Sequence, residues 1–98
     1  MSDKYMLQGH EAVPVNDLLE WARWFETAKR QVATSFPAEG VRVSTVFLGL
    51  DHSFGSSGPP ILFETMIFGG EHDQYQERYS TWEEAEAGHK RAVEMCQP

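Results

Sequence analysis

Two β-rich segments, residues 41–50 and 61–68, constrain this chain most. In the first, Val41, Val43, Thr45 and Phe47 fall on one face and Arg42, Ser44, Val46 and Leu48 on the other. In the second, Ile61, Phe63, Thr65 and Ile67 alternate with Leu62, Glu64, Met66 and Phe68. A period of two marks a strand, because successive side chains of a strand point to opposite faces. Both segments are also rich in β-branched and aromatic residues, which suit a pleated, half-buried surface. The stretch between them, residues 51–60, is longer than a tight hairpin needs.

The remaining elements arrange themselves around this pair. Residues 5–7 and 12–15 read as short strands on either side of Gly9-His10, with Pro14 placing the second at an edge. Asn16-Asp17 is a helix start signal. Leu18, Ala22, Phe25 and Val32, widened by Trp21 and Ala28, predict a helix running to about Thr34 and ended by Ser35-Phe36-Pro37. Trp24 lies off that stripe. Residues 74–79 read as a third strand of a meander. Ser80 and Thr81 each precede a glutamate at capping-box spacing. A second helix then runs from Trp82 to about Cys96, with Trp82, Ala85, His89, Ala92, Val93 and Cys96 inward. The predicted architecture is a single α+β domain over residues 1–98, in the order β-α-β-β-β-α. An antiparallel β-sheet of three to four strands carries two helices packed on one face.

That arrangement leaves a second sheet face uncovered. Val46, Leu48, Leu62, Met66 and Phe68 project there, an apolar patch of a kind that soluble chains avoid exposing. The expectation is a homo-oligomer interface or a partner site; the alternative is that the helices split between the two faces.

Charge and cysteine usage exclude several classes. A net charge of −7, with the basic residues dispersed, disfavours direct nucleic-acid binding. The single cysteine, Cys96, permits no intramolecular disulfide, which fits a reducing compartment. No apolar run has the length of a signal sequence or a membrane span, so no membrane association is expected.

No nucleophile motif such as Gly-x-Ser-x-Gly is visible, and no catalytic residue, cofactor or metal site is expected. His10, His52 and His72 sit in turns beside acids, without the spacing of a metal site. His89 reads as a hydrogen-bonded core histidine. The glycine- and serine-rich loop 51–60 offers donors for an anion, but lacks the Gly-Lys-Ser/Thr ending of a P-loop. The ligand-binding set read from these features is Arg42, His52, Ser53, Phe54, Ser56, Glu64 and Arg78, with Arg42 expected to partner Glu64 across the strands. An alternative is a metal-assisted hydrolase using His52, His72 and neighbouring acids.

Several runs are similar to a known family. They are Leu18-Leu19-Glu20-Trp21-Ala22-Arg23-Trp24-Phe25, Val43-Ser44-Thr45-Val46-Phe47-Leu48-Gly49-Leu50-Asp51-His52-Ser53-Phe54-Gly55, Pro59-Pro60-Ile61-Leu62-Phe63-Glu64-Thr65-Met66-Ile67-Phe68-Gly69-Gly70, and Arg78-Tyr79-Ser80-Thr81-Trp82-Glu83-Glu84-Ala85-Glu86-Ala87-Gly88-His89. With their flanking residues they resemble small accessory proteins encoded by tailed bacteriophages and prophages. The resemblance implies action in the cytoplasm of an infected bacterial host. Taken with the absent catalytic constellation and the uncovered apolar sheet face, it leads to the expectation of a non-enzymatic role in binding: countering host defence by sequestering a small anionic, nucleotide-like ligand, or blocking a host protein. A structural or assembly part of the phage particle is a further alternative.

Overall fold

The computed structural model of the chain describes residues 3–55 and 57–98. Strands β1 (Lys4–Gln8) and β2 (Glu11–Val15) form an antiparallel ribbon closed by Gly9-His10. Helix α1 (Leu18–Thr27) follows, then β3 (Gln31–Ala38), β4 (Val41–Phe47), β5 (Phe63–Phe68), β6 (Gln76–Tyr79) and helix α2 (Trp82–Cys96). The last four strands make one antiparallel sheet in the order β3-β4-β5-β6. The fold is thus α+β, with an antiparallel sheet and two helices as expected, plus the separate two-stranded ribbon. Among the described residues, no helix is long and apolar enough to cross a membrane.

The first helix is shorter than its periodicity predicts. It ends at Thr27, and residues expected to continue it form β3. Val32 and Thr34 lose side-chain freedom in a helix, and a partner strand was available to take them. Glu39-Gly40, with Gly40 at φ 74°, turns the chain so that Ala38 pairs with Val41 and Ser35 with Val43. Pro37 is tolerated because β3 is an edge strand whose register shifts between Ser35 and Ala38.

Helix α1 also buries a different stripe. Asp17 caps it by accepting from the amides of Leu19 and Glu20. Leu18 is nevertheless 59% exposed and Leu19 66%. Trp21, Trp24 and Phe25 do the packing. The Trp21 indole donates to the carbonyls of Tyr5 and Gly49, both at 3.1 Å, and Trp24 meets Phe47 edge-on at 5.9 Å. Because Phe47 lies on the sheet face that α2 covers, both helices stand on the same side.

That inner face carries the core. Val43, Phe47, Phe63 and Ile67 are completely buried. Helix α2 approaches closely because Ala85, Gly88, His89 and Ala92 face the strands. A Cβ at Gly88 would lie 2.0 Å from the Tyr79 hydroxyl. The helix starts in a complete capping box: Thr81 accepts from the Glu84 amide, and Glu84 accepts from the Thr81 amide.

A chain of polar groups crosses this otherwise apolar layer. Ser35 Oγ lies 2.8 Å from His89 Nε2, and His89 Nδ1 lies 2.7 Å from Thr45 Oγ1. Thr45 meets Thr65 at 2.5 Å. Nearby, the Tyr79 phenol donates to Glu77 at 2.9 Å, and Arg91 pairs with Glu77 at 2.9 Å. Burial holds the His89 imidazole below its ordinary pKa of 6.5. Burial, reinforced by the Glu77 carboxylate, pushes the Tyr79 phenol up to about 12.

On the outer face, one expected interface residue is misplaced. Leu62 is 1% exposed and packs with Phe47, Phe63 and Ala85 in the chain's own core. It precedes β5, where its backbone bonds both Leu48 and Tyr79, so the strand alternation does not extend to it. Val46, Leu48, Met66 and Phe68 are half-buried.

Two outcomes follow from this packing. Gly88→Ala forces the helix off Tyr79 and should cost about 2 kcal/mol, in the range of overpacked cores; urea unfolding followed by circular dichroism measures it. For His89, the unfolded chain takes up the proton first as pH falls. Stability is therefore full above pH 6.5 and declines below it, a trend that thermal melts across this range should show and that His89→Gln should flatten.

Candidate functional site

A concavity lies where the β1–β2 ribbon overhangs the start of α2. It encloses about 560 Å³ and is lined by Tyr5, Gln8, His10, Glu11, Ala12, Pro60, Leu62, Phe63, Ser80, Thr81, Trp82 and Glu83. Short-range sequence chemistry positions both walls. Gly9, at φ 62°, permits the tight turn that presents His10 at the ribbon tip. The capping box fixes Trp82 as the first residue of α2.

The two rings meet in the assembled fold. His10 stacks on Trp82 with centroids 3.8 Å apart and planes 7° from parallel. Phe63 meets Trp82 edge-on at 6.3 Å. The Trp82 Nε1–H is buried and has no hydrogen-bond partner. An unpaired buried donor costs about 1–3 kcal/mol, and such groups are rare enough in folded proteins to require a reason. The charged residues of the lining are Glu11 and Glu83; no lysine or arginine is among them.

The residues singled out from sequence fall in three other places. Glu64 and Arg78 face each other across β5 and β6 and pair at 2.9 Å, with Gln76 also donating to Glu64 at 2.5 Å. Arg78 therefore takes the role expected of Arg42. The Arg42 guanidinium instead lies 4.4 Å over the Phe68 ring. It sits four residues along β4 from Val46, the partner of Glu64, roughly 13 Å at strand rise.

His52, Ser53 and Phe54 form the third place, at the loop after β4. Asp51 organises this loop: its carboxylate accepts from the amides of Ser53 at 2.8 Å and Ile61 at 2.9 Å. Burial pushes the Asp51 carboxyl up, but these bonds outweigh it and the net pKa is lowered. The Leu50 carbonyl accepts from His52 Nδ1 at 2.8 Å, which assigns the proton to that nitrogen. Phe54 is 82% exposed and holds φ 51°, a left-handed conformation uncommon outside glycine. Ser56 lies outside the described residues.

His52 and His72 do not meet. One follows β4 and the other follows β5, and antiparallel neighbours end at opposite edges of the sheet. Among the described residues no group of three or more His, Cys, Asp or Glu side chains is arranged to hold a metal ion. Neither His10 nor Trp82 stood out for binding in the sequence. The available signal was their position at the ends of elements, a glycine-backed turn and a capped helix start. No family model, curated protein or solved structure matches the chain.

Because one carboxylate oxygen closes the loop at both ends, Asp51→Ala should release it. Hydrogen exchange at the Ser53 and Ile61 amides is expected to accelerate at least tenfold, while the Thr45 and Thr65 amides in the sheet stay protected.

Proposed function

We propose that this chain acts by binding, and that its ligand is a small planar heteroaromatic molecule held between the β1–β2 ribbon and the start of α2. The observation that carries this reading is the unpaired, buried indole N–H of Trp82 beside a cavity of about 560 Å³. That volume falls in the usual range for small-molecule sites. The acidic lining favours a neutral ring over a phosphate-bearing one, because Glu11 and Glu83 repel an anion. A nucleobase or nucleoside has the required flat face and acceptors. The resemblance to phage accessory proteins supports a role in withholding such a molecule from a host defence system. It narrows the expected nucleotide-like ligand to its base.

A second reading, capture of a host protein, is favoured by one feature. Phe54 is displayed at a loop tip in a strained conformation, and such outliers gather at contact sites. Self-association belongs to the same proposal. Phe36 is 72% exposed and shares a shallow hollow with Arg42 and Phe68, next to the half-buried Val46 and Met66. Two copies meeting there remove this surface from water. Sedimentation of the wild-type chain as a dimer, and of Phe36→Asp as a monomer, is the expected result.

Fluorescence titration tests the ligand. Nucleosides should quench Trp82 saturably and more strongly than the matching monophosphates. Trp82→Phe keeps an aromatic face but removes the N–H, and isothermal titration calorimetry of wild type and variant should show binding weakened about tenfold, the worth of one buried hydrogen bond. Absence of saturable binding by any nucleobase, nucleoside or nucleotide would sink the proposal.

A further inference from the structure

We infer that the Trp82 site selects a positively charged heteroaromatic ring, such as an N-alkylated purine, and that this ring takes the place of His10 on the indole face. The inference rests on the binding reading above and names the charge and the seat of its ligand. The chain itself shows what that face accepts. The His10 imidazole, a flat nitrogen heterocycle, lies 3.8 Å from the indole and 7° from parallel. Atoms in contact sit about 3.5–4.0 Å apart, so no third ring fits between the two. A ring that claims this face must displace His10. Little opposes the exchange. His10 is exposed at the ribbon tip, and its imidazole makes no hydrogen bond within the described residues. The ribbon is anchored at its other end, where the Tyr5 amide donates to the Gly49 carbonyl and the Trp21 indole joins the two.

Charge decides which ring displaces it. Glu11 follows His10, Glu83 follows Trp82, and both line the cavity. The ion pairs among the described residues join Lys4 to Asp3, Arg78 to Glu64 and Arg91 to Glu77, so neither cavity glutamate has a cationic partner. The helix start offers an anion little in exchange. The Glu84 carboxylate already accepts from the amides of Ser80 and Thr81, each at 3.1 Å. A neutral ring gains the stack alone. A cationic ring gains the stack, the attraction of the negative indole face and the field of two carboxylates. Both glutamates are exposed, so water and salt weaken that field. The preference that remains is about tenfold.

The indole adds a second requirement. Its buried N–H has no partner while His10 is stacked on it, so His10 supplies a ring without supplying an acceptor. A ligand that brings both has the advantage over His10. An alkylated purine does so, because its remaining ring nitrogens and its sugar oxygens accept hydrogen bonds. His10 thus shields the indole face until such a ring arrives.

The experiment is isothermal titration calorimetry of the full chain at pH 7 with two methylated adenosines. The ring of 1-methyladenosine is cationic at this pH, and that of N⁶-methyladenosine is neutral. The two carry the same atoms but for the proton that charges the first, so their difference reports charge. The wild-type chain should bind 1-methyladenosine about tenfold more tightly. The double variant Glu11→Gln, Glu83→Gln should lose most of that preference. His10→Ala should bind 1-methyladenosine at least twofold more tightly than wild type, because no stack has to be broken first. Equal affinity for the two nucleosides overturns the inference and leaves the binding reading standing. A full preference that survives removal of both carboxylates overturns it too, as does weaker binding by His10→Ala. If neither compound binds, the inference falls, and if unmodified adenosine and the other nucleosides also fail to bind, the binding reading falls with it.

Discussion

The structure depends on how closely α2 lies on the sheet. Gly88 leaves the space that Tyr79 fills, and the alanines on either side keep the helix near the strands. At this separation the His89 ring reaches both Ser35 on the edge strand and Thr45 on the neighbouring one. Buried polar groups are costly unless satisfied, and a complete chain of them specifies one register of helix against sheet. An apolar layer of equal volume would hold the helix without stating where along the sheet it belongs. Here Ser35, His89 and the two threonines state it.

The same placement sets the start of α2 beneath the ribbon. With Trp82 fixed by the capping box and by Phe63, the ribbon tip comes to rest on the indole face. The ribbon is held from behind by α1, through the Trp21 bonds that join Tyr5 to Gly49. Gly49 is required at that junction. Its φ is 78°, and a Cβ would meet the Phe25 ring at 2.8 Å. The cavity is therefore a product of three elements that touch little of each other in sequence. Its walls are rigid on the α2 side, and its roof is a short two-stranded piece, marginal on its own.

Much of the fold was legible beforehand. The alternation in residues 41–50 and 61–68 placed β4 and β5 with the correct inward faces, and Asp17 and Thr81 marked both helix starts. The pairing of Glu64 with an arginine was legible too, though not which arginine. Arg42 is near in sequence to the paired strand position, but register sets Phe68 opposite it and puts Arg78 opposite Glu64. The end of α1 was not legible. Residues 28–34 carry apolar spacing that suits a helix, and only the offer of hydrogen bonds from β4 turns them into a strand. Leu62 misled for a related reason: alternation holds inside a strand and stops where regular pairing stops.

The sequence by itself determined the local structures whose causes lie within a few residues: the strand period, the caps and the glycine turns. These follow from backbone sterics and short-range hydrogen bonds. Only the tertiary structure decided which side chains meet. His10 reaches Trp82 and Ser35 reaches His89 over long stretches of chain. Such meetings depend on register and helix placement, which the total burial and hydrogen bonding of the chain select together. The proposed cavity at Trp82 is built from such a distant pair, which is why it could not be read from spacing along the chain.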